Sequence, residues 1–240
     1  MGGKQAMTGT VFGLGIGPGD PELITLKALR RLQAAPVLAY PAPEDGESLA
    51  RAIAAPHMPG GQTEIAIRMP LSVDRFPAEA VYDQAVEELA AHLNAGRDVA
   101  VLCEGDGFFY GSFMYLYARL ADRFPVEVVP GVSSLTACAA RAGLALAAQR
   151  DVLTVLPAPL PEDKLAAALA GTEAVALIKV GRHLGKLRRV LGDAGLLETA
   201  VLVERATMAA ERIRPLAEIS DDAAPYFSMI LAHRRGQAWR

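Results

Sequence analysis

The chain has 240 residues, of which 52% are hydrophobic and 21% are charged, and its formal net charge is −3. This is the composition of an ordinary globular protein, and it provides no strongly basic surface of the kind that binds nucleic acid. No apolar run approaches the roughly 18 residues that a membrane span needs. We therefore expect neither a nucleic-acid partner nor a membrane partner.

The N-terminal residues and the two cysteines bear on location. Residues 1–8 lack the apolar core of a secretory signal, and we expect them to form a disordered lead-in. Cys103 and Cys138 form no CxxC pair, and no Cys/His spacing suggests a zinc site. Their apolar surroundings indicate buried thiols in a reducing compartment. These features predict a cytoplasmic protein without a bound metal.

Short apolar runs alternate with helix-length amphipathic stretches in the first half of the chain. The helix at 21–34 has Asp20 as its N-cap and Pro21 at its first position. The helix at 78–95 shows apolar residues at helical spacing and ends before Gly96. Further helices are predicted at 112–122 and 133–141, and strands at 10–12, 37–40, 64–68, 98–103 and 126–129.

The second half has fewer helices between its strands. We predict helices at 161–170 and 183–191, and strands at 152–156, 174–180, 200–204, 213–216 and 226–232. Strands that follow one another without a helix between them suggest a mixed sheet. The alternation as a whole predicts an α/β protein with domains at 9–123 and 124–240.

The first predicted strand is followed by the glycine-rich segment GLGIGPGD, from Gly13 to Asp20. Four glycines let a backbone turn tightly and approach a ligand closely. A dinucleotide fingerprint would need Gly or Ala where Pro18 stands, and it would need a carboxylate about 20 residues onward. Asp20 and Glu22 would also repel a phosphate at the start of the helix. The loop therefore suits an uncharged or cationic ligand group, or serves only as a turn.

Six segments resemble, in order, the signatures of the tetrapyrrole methylase family. They are GLGIGPGDPELIT from Gly13, CEGDGFFYGS from Cys103, VPGVSS from Val129, KVGR from Lys179, ERAT from Glu204 and PYFSMI from Pro225. The resemblance covers residues 10–232, and the last three segments are similar to the branch that methylates carbon C20. One departure stands out: Gly107 occupies a position where the family usually has proline.

The resemblance implies a two-domain fold with mixed sheets flanked by helices and a ligand cleft between the domains. It also implies S-adenosyl-L-methionine as the methyl donor, S-adenosyl-L-homocysteine as its product, and a homodimer. The donor-binding positions carried over from the family signatures are Pro18, Gly105, Asp106, Gly107, Ser133, Ser134, Val180, Ala206 and Met229. Core packing is an alternative role for Val180 and Met229.

The implied reaction is C-methylation of precorrin-2 at C20, giving precorrin-3A in cobalamin biosynthesis. The nucleophile belongs to the tetrapyrrole, so the protein needs to align the reactants and to remove a proton. Asp106 and Tyr110 are the catalytic candidates. Asp106 has the alternative role of a turn residue that binds its own backbone. Arg182 and Arg205 are the candidates for binding substrate carboxylates, whereas the charges from Lys186 to Arg189 suggest a solvated helix face.

Four alternatives stay open at this point. The substrate could be the cobalt-loaded factor of the anaerobic route, or the chain could act elsewhere on the ring or on a protein side chain. It could also bind the donor without catalysis, for which Gly107 is the only indication. The last alternative is an NAD-binding oxidoreductase, which Pro18 disfavours.

Overall fold

The computed structural model describes residues 8–69 and 76–239. The chain divides into two compact units, Met1–Ser133 and Ser134–Arg240. Each unit contains its own five-stranded sheet. The expected lead-in at 1–8 lies outside the described residues, apart from Thr8.

The sheet of the first unit is parallel throughout. Its strands are β1 (Val11–Gly15), β2 (Val37–Pro43), β3 (Thr63–Met69), β4 (Val99–Cys103) and β5 (Val126–Val129). The strand order is β3-β2-β4-β1-β5. Every residue of β1 and β4 is buried, which explains why both are recognisable as continuous apolar runs.

Helices cover both faces of this sheet. They are α1 (Leu26–Ala34), α2 (Leu49–Ala54), α3 (Phe76–Asn94) and α4 (Phe113–Leu120). Leu32 of α1 and Ile53 of α2 belong to one apolar cluster, together with Leu14 of β1. Leu89 of α3 and Phe113 of α4 belong to the cluster on the opposite face.

The second unit has the mixed sheet that its closely spaced strands predicted. Its strands are β6 (Leu153–Pro157), β7 (Ala174–Ile178), β8 (Val201–Glu204), β9 (Arg212–Pro215) and β10 (Ser228–His233), in the order β6-β7-β10-β8-β9. Of these strands only β6 and β7 run parallel, since β10 is antiparallel to β7 and β8, and β9 to β8. Its helices are α5 (Ser134–Ala142) on one face, and α6 (Glu162–Leu169) and α7 (Leu184–Asp193) on the other.

Several features differ from the expectations, among them the first sheet, which is parallel where mixed sheets were expected. The units divide between 133 and 134, later than the expected boundary between 123 and 124, because β5 pairs with β1 in the first sheet. The helix expected at 21–34 is split: Pro21–Leu23 forms a 3-10 turn, Ile24 is extended, and α1 starts after Thr25. Thr25 accepts a hydrogen bond from the N–H of Ala28 and so caps α1 itself. Helix α2 is not among the predicted elements.

Candidate active site

Three loops of the first unit meet at one edge of its sheet. β4 and β5 flank β1 in parallel, with Gly15 opposite Cys103 and Leu14 opposite Val129. The loops that follow the three strands therefore leave from the same edge, where ligands bind in open α/β sheets. These loops carry Pro18, which is buried, and also Gly105, Asp106, Gly107, Tyr110 and Ser133.

Glycines bring the three loops into backbone contact. Gly17 and Gly105 form a two-way bridge, with N···O distances of 3.3 and 2.8 Å, and both have positive φ, +83° and +65°. A Cβ on Gly131 would lie 2.1 Å from the carbonyl oxygen of Gly105. A Cβ on Gly15 would lie 2.5 Å from the nitrogen of Gly131. Side chains are thus sterically excluded at Gly15 and Gly131, because backbone atoms occupy the space that a Cβ would need.

Asp106 connects two of these loops through its carboxylate. Oδ1 accepts hydrogen bonds from the N–H groups of Phe108 and Phe109 at 2.9 and 3.1 Å. Oδ2 accepts one from the N–H of Gly131 at 3.0 Å. This is the turn arrangement considered as the alternative role, extended by a bond to the loop after β5.

Gly107 and Tyr110 follow in the same loop. Gly107 is buried and its φ is not left-handed, and a Cβ there would lie 3.3 Å from Cβ of Phe113. Glycine at this position leaves room for Phe113, whose ring lies against Gly13 of β1. Tyr110 has a φ of +56°, which is uncommon for a bulky residue and is typical of strained loops at functional sites.

Two acidic groups near this edge have structural contacts. The Asp20 carboxylate accepts a hydrogen bond from the N–H of Glu22, so it occupies the start of the turn where a phosphate would bind. Burial raises the pKa of Glu104, whose carboxylate accepts hydrogen bonds from the backbone of Ala50 and from its own backbone. Glu104 thus links β4 to the first turn of α2.

In the second unit, the donor candidates lie at the edge where β7 and β8 end and β10 begins. Met229 pairs with Val203, and Ile230 with Leu177, so these three strand ends are neighbours. Ala206 and Met229 share the apolar cluster beneath α5. Val180 is fully buried in the cluster beneath α6 and α7, so its side chain packs in the core on the opposite face. Ser134 is the first residue of α5 and is half-buried.

Backbone strain is concentrated at this second edge. Lys179, Arg205 and Thr207 have φ values of +57°, +48° and +66°, and they flank Val180 and Ala206. Such conformations cost of order 1–3 kcal/mol each and persist only where the surroundings enforce them. The N–H of Arg205 donates to the carbonyl of Phe227 at 2.7 Å, which anchors the turn to the start of β10.

A partly buried carboxylate secures the other end of this turn. Glu211 accepts a hydrogen bond from the N–H of Thr207 at 2.6 Å and a two-pronged contact from Arg141 of α5 at 2.7–2.9 Å. Mainly because Arg141 donates these hydrogen bonds, the pKa of Glu211 lies below its usual value. Arg141 and Glu211 were missed by the sequence analysis, since no family signature contains them.

The two arginines predicted to bind substrate are exposed. Among residues 8–69 and 76–239, neither Arg182 nor Arg205 has a carboxylate partner for its guanidinium group. The neighbouring His183 has a lowered pKa because its ring is partly buried, and because Lys186 and Arg182 lie near it.

Two basic residues of α7, Lys186 and Arg189, have polar partners, whereas Arg188 buries an Nε that has none among the described residues. Lys186 donates to the carbonyls of Ala158 and Leu160, so its predicted position on a solvated helix face is wrong. Arg189 pairs with Glu162 at 2.8 Å on the surface. Arg182 and Arg205 thus keep exposed guanidinium groups at this edge.

Some features lie apart from these edges. The second unit has an apolar cavity of about 550 Å³ beside α5 and Trp239, and none of the predicted site residues lines it. Cys103 and Cys138 are both buried free thiols. Within the described residues no group of three or more His, Cys, Asp or Glu side chains could hold a metal ion, and no helix has the length and apolarity to cross a membrane.

Comparisons with known proteins identify relatives along most of the chain. A Sinorhizobium sp protein named "Precorrin-2 C(20)-methyltransferase" is 45% identical over 231 residues, 93% of this chain and 94% of that protein. A Salmonella typhimurium (strain LT2) protein named "Cobalt-precorrin-2 C(20)-methyltransferase" is 36% identical over 233 residues, 95% of this chain and 98% of that protein.

A solved structure confirms the expected fold. The uroporphyrin-III C-methyl transferase from Thermus thermophilus, complexed with S-adenyl homocysteine, superimposes with a TM-score of 0.68 at 25% identity, covering 93% of this chain and 97% of that one. The sequence model of the family described as "Tetrapyrrole (Corrin/Porphyrin) Methylases" matches residues 10–220. With the signatures in order and two sheets flanked by helices, the chain belongs to the tetrapyrrole (corrin/porphyrin) methylases.

Proposed function

We propose that the protein transfers a methyl group from S-adenosyl-L-methionine to C20 of precorrin-2, giving precorrin-3A in cobalamin biosynthesis. The observation that carries this proposal is the near full-length similarity to a protein named for that reaction. The exposed Arg182 and Arg205, which have no carboxylate partner among the described residues, support a substrate that carries many carboxylates.

The residues at the two edges are suited to hold the donor. Ala206 and Met229 offer apolar surface, and the absence of side chains at Gly105 and Gly107 lets the loop backbone approach a ligand closely. Ser228, next to Met229, buries a hydroxyl oxygen that has no hydrogen-bond partner in the described part of the chain. A bound ligand could satisfy such an orphaned polar atom. Pro18, Ser133, Ser134 and Val180 complete the proposed donor set.

The donor supplies an electrophilic methyl group, and the substrate supplies the nucleophilic meso carbon. The protein's task is then to align the two, to exclude water and to accept the proton that leaves C20. We assign the proton acceptor to Asp106 or Tyr110. Among the described residues, the second oxygen of Asp106 accepts one hydrogen bond, and it retains lone-pair capacity.

The test is incubation of the purified protein with S-adenosyl-L-methionine and precorrin-2, followed by mass spectrometry and NMR. We expect one added methyl group at C20 and stoichiometric S-adenosyl-L-homocysteine. Transfer to another carbon would refute the assignment of position. Donor binding without turnover of any tetrapyrrole would support a non-catalytic role, for which the indication is glycine at position 107 of the sequence.

Cobalt-loaded factor II is a second candidate substrate, favoured by the similarity to the cobalt-precorrin-2 enzyme. Parallel assays with metal-free and cobalt-loaded substrate decide between them, and we expect the higher kcat/KM with the metal-free form. The proposal extends to a cytoplasmic homodimer, which the family resemblance implies. Light scattering on the purified protein measures the oligomeric state.

A further inference from the structure

Aromatic residues are concentrated in one short segment of the chain. The protein has 7 Phe, 6 Tyr and 1 Trp, and six of these aromatic residues lie between Phe108 and Tyr117. The segment begins directly after Gly107 and continues through the first half of α4. The proposed roles of donor binding and proton transfer use only Tyr110 among these rings.

Phe108 is an exposed member of this segment whose ring contacts two neighbouring rings. Its ring lies parallel to that of buried Phe113, with centroids 6.1 Å apart and planes 24° apart. It also meets Tyr117 edge-on at 5.1 Å. Nevertheless 49% of Phe108 is exposed to solvent. The ring is therefore supported by two others while part of its surface stays open.

The backbone of Phe108 is fixed as well. Its N–H donates to Oδ1 of Asp106, the residue that connects the loops after β4 and β5. An exposed apolar ring that is held rigidly loses little conformational entropy when it binds a partner. Contiguous apolar surface next to a ligand site commonly takes part in binding. Position and rigidity thus indicate a contact for the ligand bound at this edge.

We propose that Phe108 stacks against the conjugated face of the tetrapyrrole substrate and holds the macrocycle in register for methylation. This inference rests on the proposed function. A tetrapyrrole has carboxylates at its periphery and an apolar conjugated system in its plane, so arginines alone leave its faces without a partner. An aromatic ring supplies a flat apolar surface with the offset or edge-on contacts that such systems prefer.

Phe108→Ala is the test, and Tyr115→Ala is its matched control. Tyr115 is 40% exposed on the same segment, but its ring stacks on Tyr82 of α3 and does not contact Phe108. We expect Phe108→Ala to raise KM for the tetrapyrrole about ten-fold, the size of one aromatic stacking contact. The dissociation constant for S-adenosyl-L-homocysteine should stay unchanged, and Tyr115→Ala should leave both constants near the wild-type values.

Conservative variants separate a stacking role from a merely structural one. Phe108→Tyr should keep KM for the tetrapyrrole near the wild-type value. Phe108→Leu, which keeps apolar bulk without a flat ring, should raise KM as Phe108→Ala does. An unchanged KM in Phe108→Ala would overturn the inference. An equal rise of KM in Tyr115→Ala would overturn it too. So would a change in the oligomeric state of Phe108→Ala, because the ring would then belong to an interface with a second copy of the chain.

The failure of this inference is distinguishable from failure of the proposed function. Wild-type protein that does not methylate precorrin-2 refutes the function before any variant is assayed. Wild-type protein that does so, with a KM that Phe108→Ala does not change, refutes the stacking contact alone.

Discussion

The two units build their candidate ligand edges by different means. In the first unit, glycines at positions 15, 105 and 131 let three loops touch through their backbones. In the second, the positive φ angles fall on Lys179, Arg205 and Thr207, and the turns are held by hydrogen bonds and by the Arg141–Glu211 pair.

The difference shows which requirement dominates at each edge. Where an added Cβ would lie within 3 Å of a backbone atom of another loop, no side chain fits, and glycine is the residue that the geometry permits. At the second edge the left-handed positions carry lysine, arginine and threonine side chains, and the fold bears the backbone strain. We therefore expect added side-chain atoms to disrupt the first edge, and removal of side-chain atoms to disrupt the second.

The largest effect is expected from Gly131→Ala. Its new Cβ would lie 2.1 Å from the carbonyl oxygen of Gly105, and a backbone atom cannot move aside as a flexible side chain would. We expect the free energy of unfolding in urea to fall by about 3 kcal/mol or more. Gly171→Ala is the control, because nothing lies within 4 Å of the point that its methyl carbon would occupy and its φ is not left-handed. Equal stability of the two variants would show that the loops can separate.

Asp106→Asn should have the next largest effect. The asparagine oxygen can keep the bonds from Phe108 and Phe109, but its NH₂ group would then face the N–H of Gly131. Two opposed donors should cost about 1–3 kcal/mol of stability, measured by urea denaturation.

Kinetics then separate the two roles of Asp106. Loss of a general base lowers kcat by roughly 100-fold or more. Asp98→Asn is the control: Asp98 accepts a single backbone bond, from Thr10, which asparagine can retain. Wild-type turnover by Asp106→Asn would exclude Asp106 as the base and leave it the role of connecting the loops.

Arg205→Gly tests the second edge by removing a side chain, whereas Gly131→Ala adds one at the first edge. Relief of the left-handed strain should raise the free energy of unfolding by up to about 1 kcal/mol. Loss of the guanidinium should raise KM for the tetrapyrrole by about ten-fold or more, the worth of a charge-assisted hydrogen bond. Arg205→Lys keeps both the charge and the left-handed backbone strain. It should therefore show no gain in the free energy of unfolding and a smaller rise in KM than Arg205→Gly. Unchanged KM in Arg205→Gly would remove Arg205 from the substrate site.

The same contrast explains which features of the two edges could be predicted from the sequence. The buried strands β1 and β4 and the glycine loop were predictable, because apolar runs and glycine clusters follow directly from burial and close approach. The strained turns after β7 and β8 were not, since lysine, arginine and threonine carry no preference for positive φ. The contact between Asp106 and Gly131 joins residues 25 positions apart, and local spacing does not encode it.

Two local errors have equally specific causes. Helix α2 has only six residues, too few for an apolar period to repeat, although Ser48 caps it and signals its start. β2 continues to Pro43, beyond the predicted end at Tyr40, because it stays paired with β3 that far, whereas its pairing with β4 stops at Ala39. Past that point Pro41 and Pro43 lie where a missing N–H is tolerated on that side.

The smallest effect concerns the pair that holds the turn after β8. The pKa of Glu211 is lower in the folded protein than in the unfolded chain, so the ionised carboxylate contributes stability above about pH 4.3 that is lost as the pH falls through the folded pKa. Glu211→Gln lacks this contribution and should melt roughly 2 °C below wild type at pH 7, as expected for one partly exposed ion pair.

The pH dependence identifies charge as the source of this effect. The difference in melting temperature between wild type and Glu211→Gln should shrink as the pH is lowered below about 4.3. Glu162→Gln, which breaks the exposed pair with Arg189, should show almost no difference at any pH. A gap between wild type and Glu211→Gln that stayed constant down to about pH 3, below the unfolded pKa, would mean that the shape of the side chain, and not its charge, holds Thr207 in its strained conformation. The second edge would then depend on packing as the first does, and the contrast between the two would be lost.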